Sequence, residues 1–182
     1  MEAMTEIGAG EVTEVIASAA AGDDVAFARL VADHHAQLVR ICHMVARDRT
    51  IAEEAAQATW SIAWRKLGTV RQPDRLRPWL IAVAVNEARK LLRKPSRWSR
   101  MELIGEPPER PGGVDPATGI PFIDLQATLE RLEPDERALL ALRYVAGFDA
   151  SELAAAIGLS ASGTRTRLER LLKRLREDLG HA

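Results

Sequence analysis

The run FDASELAAAIGLSASGTRTRLERLLKRL, residues 148–175, decides the fold. Asp149 followed three residues later by Glu152 is a capping-box pattern that opens a helix; Leu153 and Ile157 give it buried positions, and Gly158 supplies a sharp turn. Ser160 is placed to cap a second helix. In that helix Leu168, Leu171, Leu172, Leu175 and Leu179 fall on one stripe, which leaves Thr166, Arg170 and Lys173 near the opposite face. Two helices across a short turn, the second presenting polar and basic groups, predict a helix-turn-helix.

Working outward, Ile123 to Leu132 begins the same helical module, Glu133-Pro134 interrupts it, and it resumes through Tyr144 to Gly147. The module is expected over residues 122–180. Before it, residues 96–121 include Pro107-Pro108 and Pro111-Gly112-Gly113 without helical periodicity, and read as a flexible linker. A second helical module is expected over residues 23–95. Its first helix runs from Asp24 to about Ala46, with apolar residues at Phe27, Leu30, Val31, Leu38, Ile41, Cys42 and Val45. Thr50 with Glu53 is a capping-box pattern for the next helix, which stops at Gly68. A loop from Thr69 to Arg77 follows; Pro78 suits the first turn of a third helix and Pro95 ends it. Residues 1–22 read as an acidic tail. The fold class is therefore all-α, two small helical domains joined by a linker.

Composition agrees. Hydrophobic residues make up 47% and aromatic residues only 4%, with abundant Ala, Leu, Arg and Glu, which favours helices over sheets. The net charge of −1 conceals an uneven distribution. Residues 1–24 hold six acidic and no basic side chains, residues 75–100 eight basic and one acidic, and residues 164–176 six basic and one acidic. Two separate basic segments joined by a neutral stretch fit two contacts with one long polyanion, although solvated helix faces look similar. The lone Cys42 excludes an internal disulfide and fits a reducing compartment. No stretch approaches the ~20 apolar residues of a membrane span, and the acidic N-terminus lacks a signal peptide's basic start. Cytoplasmic residence without membrane insertion is the expectation.

On the third helix Leu80, Ile81, Ala84, Val85, Ala88, Leu91 and Leu92 gather on one side, and Asn86, Lys90, Arg93 and Arg97 on the other. Trp79 lies two turns before Asn86 on the polar side. A tryptophan among cations suits stacking on an unpaired base while the cations hold phosphates. Spacing alone equally allows a tryptophan covered by the neighbouring loop.

Enzyme readings find little support. There is no Walker loop, dinucleotide fingerprint or nucleophile elbow. Glu53 and Glu54 are adjacent and point apart on a helix, so they make a poor acid/base pair. His34, His35 and His43 lie near Cys42 without zinc-site spacing. No catalytic residue, metal or cofactor is expected.

The ordered motifs resemble the extracytoplasmic-function (ECF) sigma factors. In that family's second conserved region an acidic pair, a glutamine and an aromatic share one helix, and Trp-Leu and an asparagine follow on the next. Here these are Ala52-Glu53-Glu54, Gln57 and Trp60, then Trp79-Leu80 and Asn86. Leu132-Glu133-Pro134 opens the stretch similar to the fourth region, and Gly158 through Leu168 follows its turn and recognition helix. Ala58 stands where the family commonly has glutamate, and Gly163-Thr164 where it more often has Thr-Val.

The resemblance implies a factor that recruits RNA polymerase core, recognises the minus-10 and minus-35 elements and promotes DNA melting without catalysis. Glu53 and Gln57 would bind the clamp coiled coil of the polymerase's largest subunit, supported by Glu54 and Trp60. Without the family context, acidic groups along a helix are more often a solvated face. The loop from Gly68 to Arg77 would hold a flipped minus-10 base, at a cost of about a few kcal/mol for extracting it. Arg71, Arg75, Trp79, Asn86, Lys90 and Arg93 would face minus-10 DNA. Arg165, Thr166, Glu169 and Arg170 would read minus-35 bases, since arginine pairs with guanine and glutamate accepts from cytosine. Lys173, with Arg167 and Arg174, would meet phosphate or solvent. An anti-sigma factor is a common further partner in the family. The rival reading is a stand-alone helix-turn-helix regulator that binds duplex DNA unaided; a sigma-like module that sequesters a regulator is a third.

Overall fold

The computed structural model describes residues 9–70, 72–93, 128–129, 131–158 and 160–180, and among them all regular structure is helical. The linker expected over 96–121 lies outside the described residues.

In the first module, α1 (Ala9–Ala20) packs on α2 (Asp24–Ala46), which forms a bundle with α3 (Arg49–Lys66) and α4 (Leu76–Arg93). Asp23 caps α2 by accepting from the backbone N–H groups of Val25 and Ala26 at 2.8 and 3.0 Å. Ala52, Ala55, Ala56 and Ala63 of α3 are wholly buried. Small side chains let α3 approach closely, so that Leu38, Ile41, Cys42 and Val45 of α2 and Leu80, Ile81, Ala84 and Val85 of α4 fill the core.

Three local features differ from the sequence reading. The acidic tail expected over 1–22 contains α1, because Val12, Val15, Ile16 and Ala19 share one face; Ile16 and Ala19 are buried. The cap of α3 is Asp48, not Thr50: its carboxylate accepts from Ile51 N–H at 2.8 Å, and an anion there also meets the positive end of the helix dipole. Short 3₁₀ turns at Leu67–Thr69 and Pro73–Arg75 occupy much of the expected loop, and α4 starts at Leu76, two residues ahead of Pro78. Pro78 still lies in the first turn, where its missing N–H costs nothing.

In the second module, α5 (Pro134–Leu140) runs into a π-helical turn at Ala141–Val145, and α6 (Ala150–Ile157) and α7 (Ala161–Gly180) form the helix-turn-helix. The Asp149/Glu152 capping box is present, with Asp149 N–H donating to Glu152 Oε2 at 2.9 Å. The backbone N–H of Glu152, and then that of Ser151, hold the Asp149 carboxyl below the usual carboxylate range. Gly158 takes φ 72°, a left-handed conformation that a side chain would strain, and its N–H closes on Ala154 O at 3.0 Å. Ser160 Oγ accepts from Gly163 N–H at 3.1 Å. Leu171 and Leu175 are buried, whereas Leu179 is exposed, so the expected apolar stripe ends one turn early, beyond the reach of α5.

The modules pack against each other. Ala138, Leu139 and Leu142 join the same buried cluster as the α2 and α4 residues. Within it the guanidinium of Arg137, 7% exposed, donates through Nε to Val45 O at 2.9 Å and through Nη1 to Leu132 O. Burial pushes its pKa down, as expected for a charge removed from water.

Two stability effects follow. Arg137→Ala leaves two buried carbonyls without donors and is expected to cost about 2 kcal/mol, read as a lower urea midpoint. Thr164 is fully buried, and among the described residues its hydroxyl has no hydrogen-bond partner. Thr164→Val removes that desolvated hydroxyl and is expected to raise stability by about 1 kcal/mol; an equal or lower midpoint would show that the hydroxyl is satisfied.

Candidate functional site

Helix periodicity sets the first candidate surface. Glu53, Gln57, Trp60 and Trp64 are spaced by four, three and four residues and so form one stripe on α3. Glu53 and Gln57 are exposed, as is Glu54 to one side. Arg49 Nε donates to Glu53 Oε1 at 2.9 Å, an i,i+4 pair too exposed to hold the glutamate firmly. Trp60 is half-buried: its indole N–H donates to His35 Nδ1 at 3.1 Å and its ring meets Phe27 edge-on at 5.8 Å. Trp64, absent from the sequence reading, meets Phe27 edge-on at 4.9 Å and stays 44% exposed. Its position four residues after Trp60 was the available signal.

The His35–Trp60 contact also bears on metal chemistry, since it engages one ring nitrogen of His35. Cys42 donates to Ala84 O at 3.6 Å, and burial pushes its thiol up to about 12, which makes it an inert core group.

The second surface belongs to α4 and the turn before it. Trp79 is half-buried against the core cluster, and Asn86 is half-buried with its Oδ1 accepting from Arg89 Nη1 at 3.3 Å. Lys90 Nζ pairs with Glu87 at 3.4 Å. Arg75 and Arg93 are both drawn to the second module: Arg75 Nη1 lies 2.7 Å from Glu152 Oε1, and Arg93 Nη2 lies 3.3 Å from Asp135 Oδ2. Arg71 lies outside the described residues. Arg89, which the sequence reading did not single out, donates to Asp135 Oδ1 at 2.8 Å with only 10% of its side chain exposed. Burial alone would raise the Asp135 pKa. The hydrogen bond and charge of Arg89, together with Arg93, outweigh that effect and hold it below the usual range.

The third surface is the outer face of α7. Arg165, Thr166, Glu169 and Arg170 are all exposed, and Lys173 lies 3.8 Å from Glu177 one turn on; Arg167 is exposed too but borders the module junction beside Arg89, Arg93 and Asp135. Arg174 instead turns to α5, donating to Glu136 at 2.7 Å, so it helps to hold α7 in place. The structure thus gathers the expected minus-35 residues on one helix side. It leaves the expected minus-10 cations largely in ion pairs.

Comparison with known proteins agrees with this layout. A model described as Sigma-70 region 2 matches residues 30–98, and one described as Sigma-70, region 4 matches residues 122–175. The sigma factor CarQ of Myxococcus xanthus is 31% identical over 163 residues, covering 87% of this chain and 92% of CarQ. The ECF sigma factor SigM of Mycobacterium tuberculosis is 28% identical over 170 residues, covering 92% of this chain and 84% of SigM. The solved structure of CnrH in complex with the cytosolic domain of CnrY is similar at a TM-score of 0.59 and 28% identity, covering 92% of this chain and 96% of that one. With helix-turn-helix, α3 stripe and family matches in the same order along the chain, the protein belongs to the extracytoplasmic-function family of RNA polymerase sigma factors.

Proposed function

We propose that this chain binds RNA polymerase core through α3, reads minus-35 DNA with α7 and minus-10 DNA with α4, and promotes strand opening. The observation that carries the reading is the division of α3 into two faces. One is alanine-lined and buried; the other exposes Glu53, Glu54, Gln57 and Trp64, with Trp60 held between them. A solvated helix has no need of an exposed tryptophan pinned edge-on to Phe27, whereas protein interfaces are enriched in such aromatic groups. A partner with basic residues and an apolar strip fits that stripe, as the clamp coiled coil would.

An anti-sigma factor is a further proposed partner. CnrH, whose structure is similar over nearly its whole length, was solved in complex with the cytosolic domain of CnrY. The stand-alone regulator differs in one measurable respect, because it would bind promoter duplex as well without core as with it. A gel shift with and without core decides between the two.

Glu53→Lys combined with Gln57→Ala is expected to weaken core association at least tenfold, with an unchanged circular dichroism spectrum because both residues are exposed. Retained core affinity would remove α3 from the interface. On α7, Arg170→Ala is expected to lose about 1–3 kcal/mol on one base pair's preferred sequence and relax discrimination there, whereas Lys173→Ala weakens all sequences alike. Binding to a set of minus-35 variants measures both, and equal losses for Arg170→Ala on every variant would make it a phosphate contact.

A further inference from the structure

Among the described residues, two of the three ion pairs between the modules converge on one carboxylate. Asp135, in the first turn of α5, receives Arg89 Nε on Oδ1 at 2.8 Å and Arg93 Nη2 on both oxygens at 3.3 Å. Two guanidinium groups converging on one anion is the geometry that proteins use for carboxylate and phosphate alike, because both present paired oxygens to a planar fork of N–H donors. Arg89 also donates to Asn86 Oδ1, which ties the fork to the residue proposed to read minus-10 DNA. Arg75, on the turn before α4, is held in parallel by Glu152 of α6.

We propose that Asp135 is a built-in phosphate surrogate: it occupies an Arg89/Arg93 fork that takes a backbone phosphate of promoter DNA once the two modules part. The inference rests on the proposed assignment of α4 to DNA. Arg89 is the informative member, because with 10% of its side chain exposed it is out of reach of any strand while Asp135 covers it. The docked arrangement therefore competes with DNA for the same cations, and a DNA phosphate gains the fork only by displacing the second module's carboxylate. Such a competition lowers apparent DNA affinity by the fraction of molecules that are open.

The test uses the full chain and a fluorescein-labelled forked DNA of mixed sequence, since phosphate contacts do not depend on base identity. Three forms are compared by anisotropy at low salt: wild type, Asp135→Asn, and Glu133→Gln. Among the described residues Glu133 lies beside Asp135 at the same junction and makes no ion pair with Arg89 or Arg93, so Glu133→Gln removes an equal charge while leaving both guanidinium pairs to Asp135 in place. Asp135→Asn is expected to bind about fivefold more tightly than wild type and Glu133→Gln within about twofold, with Arg89→Ala abolishing the gain in the Asp135→Asn background. Equal gains for the two neutralised variants, or a gain that survives Arg89→Ala, would overturn the proposal. Asp135→Ser serves as a second unlatching variant if the amide lowers helicity. Core-dependent run-off transcription by the wild type separates the two levels. If it is absent, the sigma reading of α4 fails; if it is present while Asp135→Asn gains no more than Glu133→Gln, only the surrogate role fails.

Discussion

Arg137 places a guanidinium where a protein can least afford an unmatched charge, between two helical modules and nearly out of water. Its position answers a problem that α2 creates. The last four carbonyls of a helix lack intrahelical donors, and Val45 O is one of them, buried by the approach of α5. Arg137 donates to it and lies at the negative end of the α2 dipole, while Leu132 O takes a second N–H. The carbonyls and the cation are costly alone and compatible together. The contact consequently specifies register more than it adds stability, since packed apolar groups in its place are often neutral or better. Attraction between the modules comes from Ala138, Leu139 and Leu142, which join the first module's buried cluster.

Much of this architecture was legible because it is local. The Asp149/Glu152 box, the turn at Gly158 and the leucines of α7 each act within a few residues of chain, and each appears in place. The failures were also local, but they turned on competition between neighbouring signals. Thr50 and Asp48 both qualify as caps for α3; the helix begins at Arg49, which puts Thr50 inside the first turn and Asp48 at the position whose carboxylate reaches the free Ile51 N–H. At the N-terminus the acidic count drew attention away from Val12, Val15, Ile16 and Ala19, whose spacing alone predicts a helix with one apolar face. Leu179 continues a perfect stripe in sequence and is exposed because, among the described residues, no helix packs opposite that turn.

The docking of one module on the other was not legible at all. Periodicity says which face of a helix is buried, but not which helix far along the chain buries it. Arg89, Asp135 and Arg137 each look like ordinary charges on helical segments. Only the fold brings Asp135 to Arg89 at 2.8 Å, 46 residues apart in sequence, and Arg137 to Val45, 92 residues apart. The same limit applies to function. The eight basic residues over 75–100 predict a polyanion-binding segment, yet their count could not show that Arg75 and Arg93 are already paired to carboxylates of the second module.

That pairing also bears on a chain of net charge −1 that is read as binding DNA, because it decides which of its cations are free. A freely exposed basic surface attracts any polyanion, and its affinity is dominated by counterion release with little regard for sequence. Here the α4 cations meet internal carboxylates at the module junction, whereas the exposed face of α7 keeps Arg165 and Arg170 outward. Exposed pairs are worth little individually, so a phosphate displaces them cheaply. Pairs shared between modules are different, because they exchange together when the modules separate, and whatever binds the separated form shifts the whole equilibrium. A polymerase surface that holds the α3 stripe in an arrangement incompatible with docking would release the α4 cations at the same moment. Promoter affinity would then be low in the free chain and high in the complex, a dependence that follows from where the carboxylates sit and needs no change in the DNA-contacting residues themselves.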